Sequence, residues 1–496
     1  MPRNPKDGHR PSAASRRTST PSLRRPAATF QKMTKASSRQ SSNAIESPWP
    51  DGDMLALGDT ALLKARSKGA EEAEVYLGWG TETSVDIEGG RLSYLSKVSV
   101  SGISIRVLRK KKVGFAYCTD PGKLGAAIER AIDISSVGKE LEFHFPNKAT
   151  YPKPRQVVDE KIMELEVDDG VRLSLNMMDA AAGIKRGIQV TGGGVEFGHS
   201  ESAILNSSGV AVTERSTGIS GGVSVILKGR TPSTGSEYLS SRMNDLDFEK
   251  IGKIAAKQAV DGQNPTSCDT GQMPVIFTPD AFSNLLGVAT IPALIGEAIH
   301  RHESVYDGKL GERIAAPSLT IIDDGLLPGG LATSASDDEG IPSRRTVLME
   351  RGILKGFLFD TYSASEFGKA STSSATRGTY RVPPDTGARN ILVGGADRPL
   401  DTLISEMGEG LLVHEVLGAH TANPVSGEFS VTSSLLFRIH KGEISGALKP
   451  VMLSGNFPAL LGTLSGLGTD TKKVAGYPVV VTGSVRLEGL MVTGDK

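Results

Sequence analysis

From Met54, the stretch MLALGDTALLKARSKGA places apolar residues at helical spacing and stops at Gly69, which predicts a helix ended by a glycine. The pattern then changes period. AEVYLGWG, TSVDIEGG, RLSYLSKVSVSG, ISIRVLRK and KVGFAYCTD alternate apolar with polar residues between glycine pairs and lysine runs, as an antiparallel meander does. PGKLGAAIERAIDIS returns to helical spacing with Pro121 near its first turn. A second cycle follows: a helix in VDDGVRLSLNMMDAAAGIK, strands in GIQVTGGGVEFGHSESAILNSSGVAVTER and GVSVILKG, a Ser/Thr/Gly-rich surface loop or flap at 230–241, and a helix in NDLDFEKIGKIAAKQAVDG begun by Asn and Asp. Beyond it, PVIFTP reads as a strand, and AFSNLLGVATIPALIGEAIHRHE as a helix broken or kinked at Pro292. RRTVLMERGILKGFLFD and LLFRIHKGEISG each read as two strands about a turn, at Arg351-Gly352 and Lys441-Gly442. VVVTGSVRLEGLMVTG supplies the last two strands.

The expected class is therefore α+β, with strand-rich antiparallel sheets and flanking helices. A chain of 496 residues exceeds one ordinary domain, and the pattern divides it into a leader (1–50), an N-terminal α+β domain (51–140), a central domain (141–265) and a β-rich C-terminal domain (266–496). The leader is rich in Ser, Arg, Pro and Ala and has no apolar period, so it is expected to be disordered. It carries ten Lys or Arg and two acids; it reads as a transit peptide or as sequence upstream of a true start at Met33 or Met54. Overall the 56 basic and 56 acidic residues balance, which gives no reason to expect a nucleic-acid partner. No apolar run approaches the roughly 18 residues of a membrane span. Cys118 and Cys268 form no CxxC, so a disulfide framework is not expected and a reducing, cytoplasmic setting is.

Several strings, in order along about 54–494, resemble the TldD/PmbA family: GAEEAEVYLGWGTETSVDIEGG, LNSSGV, LGERI, LTIIDDG, DDEGIPSRRTVLMERGILKGFLFD, GEGLLV, HTANPVSGEFSV and GSVRLEGLMVTG. The resemblance implies TldD/PmbA-like N- and C-terminal domains. In the TldD branch a His-Glu-x-x-x-His helix and a distant cysteine hold zinc, and the Glu is the general base. The matching stretch here is Gly296-Glu297-Ala298-Ile299-His300-Arg301, in which only Glu297 remains, and no cysteine follows position 268. The similarity is thus to the TldE (PmbA) branch. It implies a chain with no cofactor of its own, zinc in a TldD-type partner subunit, a chamber enclosed by the pair, and short unstructured peptides as substrates.

Four of the eight histidines fall in two short segments, His300 with His302 and His414 with His420, and offer an alternative metal site for an autonomous metallopeptidase. His414 and His420 are six residues apart, about 120° on a helix and about 20 Å on a strand, so neither regular element brings them onto one ion. As cavity-lining groups, these histidines, Glu415, Arg344, Arg345, Asn423 and Ser426 are the candidate peptide-holding residues. Asp337, Asp338 and Glu339 read as binders of a peptide's charged ends or as a solvated, ion-paired turn, and Asp323-Asp324-Gly325 as a turn only. The strand edges of the hairpins offer peptide addition through the backbone. A non-enzymatic peptide-binding protein is the remaining alternative.

Overall fold

The computed structural model describes residues 48, 49 and 53–496; the basic leader lies outside the described residues apart from Pro48 and Trp49. Trp49, which the sequence placed in that leader, is buried in the apolar core that includes Met54, Ala61 and Val75. The fold is α+β, as the pattern predicts.

Its first half is one antiparallel sheet of six strands: β1 (Glu72–Glu88), β2 (Arg91–Arg109), β3 (Lys112–Cys118), β4 (Ile188–Asn206), β5 (Ala211–Leu227) and β6 (Ser233–Ser241), in the order β3-β2-β1-β4-β5-β6. Segments 51–140 and 141–265 therefore share a single sheet, joined where β1 pairs with β4. β1 is 17 residues and β2 is 19, each merging two of the strands expected from the sequence. The glycines that looked like breaks are points of close approach. A Cβ on Gly80 would lie 2.7 Å from the carbonyl oxygen of His199, and one on Gly102 2.3 Å from the Tyr380 ring. The Ser/Thr/Gly run at 230–241 is not a flap: most of it is β6, where Gly235 admits the backbone of helix Phe248–Asp261, a Cβ there lying 2.1 Å from Ala255 O.

Alternation gives the sheet two faces. All four helices lie on one of them: Val75, Leu77 and Trp79 pack with Met54–Ser67 and Leu124–Ser135, and farther along the same face Val195, Phe197 and Val223 pack with Val167–Ala182 and Phe248–Asp261. The helix at Phe248 has the acidic cap the sequence signals, and the first helix has one that was not singled out there. Asp53 accepts from Leu55 N at 2.9 Å and Asp247 from Lys250 N at 2.9 Å.

The C-terminal half has its own apolar core. Five strands close on themselves, since Glu409–Leu417 pairs with Gly271–Phe277, then Val485–Thr493, Val451–Asn456 and Glu428–His440, which returns to Glu409–Leu417. Closure removes free edges from this ring. A second sheet, centred on Thr320–Asp324 and Asn390–Gly394, stands beside it. Both predicted turns are present, with positive φ at Arg351-Gly352 and Lys441-Gly442.

The two halves are joined by buried charge. On the sheet face without helices, the Arg106 guanidinium donates to both carboxylate oxygens of Glu74, at 3.0 and 2.6 Å, and to Glu339 of the C-terminal half at 2.8 Å. Arg377 also donates to Glu74 and lies 5.0 Å from the centre of the Tyr76 ring. Glu339 has no exposure and accepts from Thr361 N at 2.6 Å. Asp337 accepts from Glu339 N and Ile341 N, and Asp338 from Arg377 N. Burial works to raise Glu74, but Arg106 and Arg377 hold its carboxyl below the usual range, whereas burial and the neighbouring Glu339 push Asp337 up to about 8. Asp337, Asp338 and Glu339 are thus neither a solvated turn nor open to a peptide. Asp323 is likewise more than a turn: it is buried, and its carboxylate accepts from Arg389 N at 2.9 Å and Asn390 N at 3.1 Å. At the other end of the interface, Lys472 pairs with Glu237 of β6 and, at 2.7 Å, with Asp280.

Removing one partner of such a buried set leaves an uncompensated charge. Arg106→Ala is expected to cost about 3–5 kcal/mol, read as a fall in the denaturation midpoint. Arg172→Ala, which breaks an exposed pair with Asp169, should cost under about 1 kcal/mol. Small, equal losses in both variants would show that the network does not hold the halves together.

Candidate functional site

Pro292 ends helix Pro279–Ala289 in a short 3-10 turn, and Ile295 is extended, so the chain restarts as one helical turn, Gly296–His300. Gly296 is buried, and its N–H donates to Leu358 O at 2.8 Å. A Cβ on Gly296 would stand 2.0 and 2.1 Å from two ring carbons of Phe359. The aromatic ring occupies the direction a side chain would take. Glu297 is ion-paired with Arg301 one turn on. His300 stacks on Phe367 with ring centres 4.2 Å apart and planes 4° apart. His302 follows in a left-handed conformation with φ 58°, is largely exposed, and its Nδ1 lies 2.5 Å from Asp307.

The second histidine segment has a different setting. His414 lies on strand Glu409–Leu417 with its ring 5.3 Å from that of Phe437. Burial, with Lys472 close by and Asp280 opposing, pulls its pKa down to about 4, so it is neutral near neutral pH. Glu415 accepts from Ser434 Oγ at 3.2 Å. His420 is exposed on the 3-10 turn Ala419–Thr421. Each histidine has its own surroundings, and among the described residues no three His, Cys, Asp or Glu side chains converge on a metal position. The four-histidine site is therefore not assembled.

Arg344 is committed to structure, donating to the carbonyls of Ser371 and Thr372, the latter at 3.0 Å; Arg345 is exposed at the start of strand Arg345–Glu350. Asn423 and Ser426 form a tight loop in which Asn423 Oδ1 accepts from Val425 N at 2.9 Å. Gly427 is required there, with φ 76° and Pro458 in the space of a Cβ. This loop borders an open groove of about 630 Å³ with Thr421, Glu428, Phe429, Ser430, Gly455 and Asn456. Asn456 was not singled out from sequence. It caps helix Phe457–Leu461 through Oδ1 and donates from Nδ2 to Ser426 O at 2.6 Å; the signal was an Asn just before Phe457-Pro458.

Profiles of the PmbA/TldA metallopeptidase domain 1, central domain and C-terminal domain match residues 73–135, 153–263 and 270–494. The chain belongs to the PmbA/TldD metallopeptidase family. It is 32% identical over 397 residues to the protein MJ0231 of Methanocaldococcus jannaschii, covering 80% of this chain and 91% of that one. It is 25% identical over 456 residues to metalloprotease PmbA of Escherichia coli, covering 88% and 95%. TldE from Thermococcus kodakarensis superposes with a TM-score of 0.84 at 26% identity, over 88% of this chain and 100% of that one.

The zinc that the resemblance implies for the PmbA/TldD family does not fit the residues here. Position 296 lacks a side chain and its space is filled by Phe359, position 301 is a guanidinium held by Glu297, and no thiol follows position 268. Gly296→Ala is expected to cost about 1–3 kcal/mol by overpacking against Phe359, with Phe359→Leu in the same chain recovering much of it. A neutral effect of Gly296→Ala on the denaturation midpoint would contradict this packing.

His414 gives a pH dependence. Its folded pKa of about 4 lies below the ordinary 6.5, so between those values the unfolded chain binds the extra proton. Its contribution is full above about 6.5 and declines as pH falls toward about 4. His414→Gln should flatten that part of the stability–pH curve; an unchanged slope would refute the assignment.

Proposed function

We propose that this chain is the TldE-type, non-catalytic subunit of a two-chain peptidase, which walls a chamber and holds short unfolded peptides while a TldD-type subunit supplies the zinc. The observation that carries this reading is the ring of Phe359 against Gly296, where the TldD branch has its first imidazole. Its support is chemical. Neither a hydrogen nor a paired guanidinium donates an electron pair to a Lewis acid, and without a held ion no metal hydroxide forms at neutral pH. Glu297, the residue that matches the family's general base, is engaged by Arg301 and is a weak candidate for proton transfer.

The groove beside Asn423 and Asn456 suits the holding role. It is open, and the polar side chains of Thr421, Glu428 and Ser430 line it beside Phe429 rather than forming a deep side-chain pocket. Breadth of sequence follows from such a surface. Two buried, unpaired cysteines, Cys118 and Cys268, suit a cytoplasmic setting.

The purified chain is expected to carry far less than one zinc per molecule by elemental analysis, and to co-purify with a His-Glu-x-x-x-His homologue whose peptide cleavage depends on both chains. Stoichiometric zinc in the lone chain, with cleavage that a chelator abolishes, would refute the reading.

A further inference from the structure

A small cavity lies between the two halves of the molecule. Its volume is about 40 Å³, room for one or two water-sized species, and its polar lining is Ser202 and Glu214, on the paired strands β4 and β5, with Ser334, Ser336, Asp337 and Asp338 of the C-terminal half. Three carboxyls thus border one small space. Among the described residues, the hydrogen bonds they accept come from backbone N–H groups: Ser336 N to Glu214 at 2.9 Å, Glu339 N and Ile341 N to Asp337 at 3.0 and 2.9 Å, and Arg377 N to Asp338 at 2.6 Å. The guanidiniums nearby are engaged elsewhere. Arg106 and Arg377 pair with Glu74 and Arg106 also with Glu339, while Arg389 donates to Ala332 O, Ser334 Oγ and Ser343 Oγ. Burial pushes Glu214 up to about 7, and burial with Glu339 beside it pushes Asp337 up to about 8, as expected of carboxyls short of counter-charge.

Ser336 supplies a second, independent observation. It is 4% exposed, its N–H is taken by Glu214 and its carbonyl by Ser334 Oγ at 2.6 Å. Its own Oγ, buried in the cavity wall, has no partner among the described residues. A hydroxyl oxygen brings two lone pairs, and leaving them unmet in a buried wall is costly.

We propose that this cavity binds one alkali-metal cation, held by the Glu214 carboxylate and Ser336 Oγ, which bridges the first sheet to the C-terminal half. The site is not assigned by the subunit reading and does not depend on it. Every polar group on the lining is an oxygen donor, which suits a hard cation. No three carboxyl or imidazole groups converge on one point among the described residues, so the wall lacks the concentrated charge of a calcium or zinc site and suits a single positive charge. Water alone would satisfy the Ser336 hydroxyl but would bring no counter-charge to the carboxyls.

Denaturation of the full chain in sodium, potassium and choline chloride at matched ionic strength tests this, since choline screens surface charge equally but is too large for the cavity. Sodium or potassium is expected to raise the folding equilibrium constant about tenfold or more over choline at saturating salt, and the larger effect identifies the ion. Glu214→Gln, which keeps an acceptor for Ser336 N but removes the charge, should bring that ratio below about twofold. Glu129→Gln, at an exposed pair with Lys68, should leave it unchanged. Ser336→Ala separates a ligand from an idle hydroxyl: it is expected to raise the alkali-ion concentration needed for half the effect about tenfold while the midpoint in choline stays equal or rises. Equal stability in all three salts overturns the proposal, and so does an alkali-ion effect that survives Glu214→Gln. If Glu214→Gln does not fold, Ser336→Ala decides alone, and a change of the same size in all three salts overturns the proposal.

Discussion

The guanidinium of Arg106 is the group on which the arrangement of the molecule depends. It sits on the helix-free face of the first sheet, almost without exposure, and spends its donors on Glu74 beside it and Glu339 from the other half of the chain. Arg377 completes a set of alternating charges that water does not reach. Taken singly these groups would be costly to bury; together they satisfy one another only when the two halves are docked in one orientation. The aromatic rings of Phe143 and Phe145 close over the guanidinium, the latter at 5.1 Å, and keep that environment dry.

That docking positions everything functional. It fixes the C-terminal half against the first sheet, with Lys472 bonding across to Glu237 of β6. It also leaves the groove beside Asn423 open. Phe429 and the polar side chains of Thr421, Asn423 and Glu428 line it.

Much of the fold was legible because periodicity reports burial. The helices at Met54, Val167 and Phe248, the break at Pro292 and the two positive-φ turns follow from local chemistry. What failed was the reading of small residues. Gly80, Gly102 and Gly235 sit inside long strands because another group needs their space, and that need exists only once the fold is formed. At the candidate site, Gly296 and Arg301 can be read from the sequence as poor metal ligands. That Phe359 fills the vacated space, and that Asp337 to Glu339 are locked inside rather than exposed, depend on contacts hundreds of residues apart in the case of Arg106 and Glu339. Such contacts leave no trace in local pattern.

The central claim is that the metal of this machinery belongs to another chain. Anomalous scattering at the zinc absorption edge, from crystals of the complex with a His-Glu-x-x-x-His homologue, locates the ion directly. The account predicts a single strong peak inside the homologue and none within this chain. A peak beside Glu297 and His300 would contradict it.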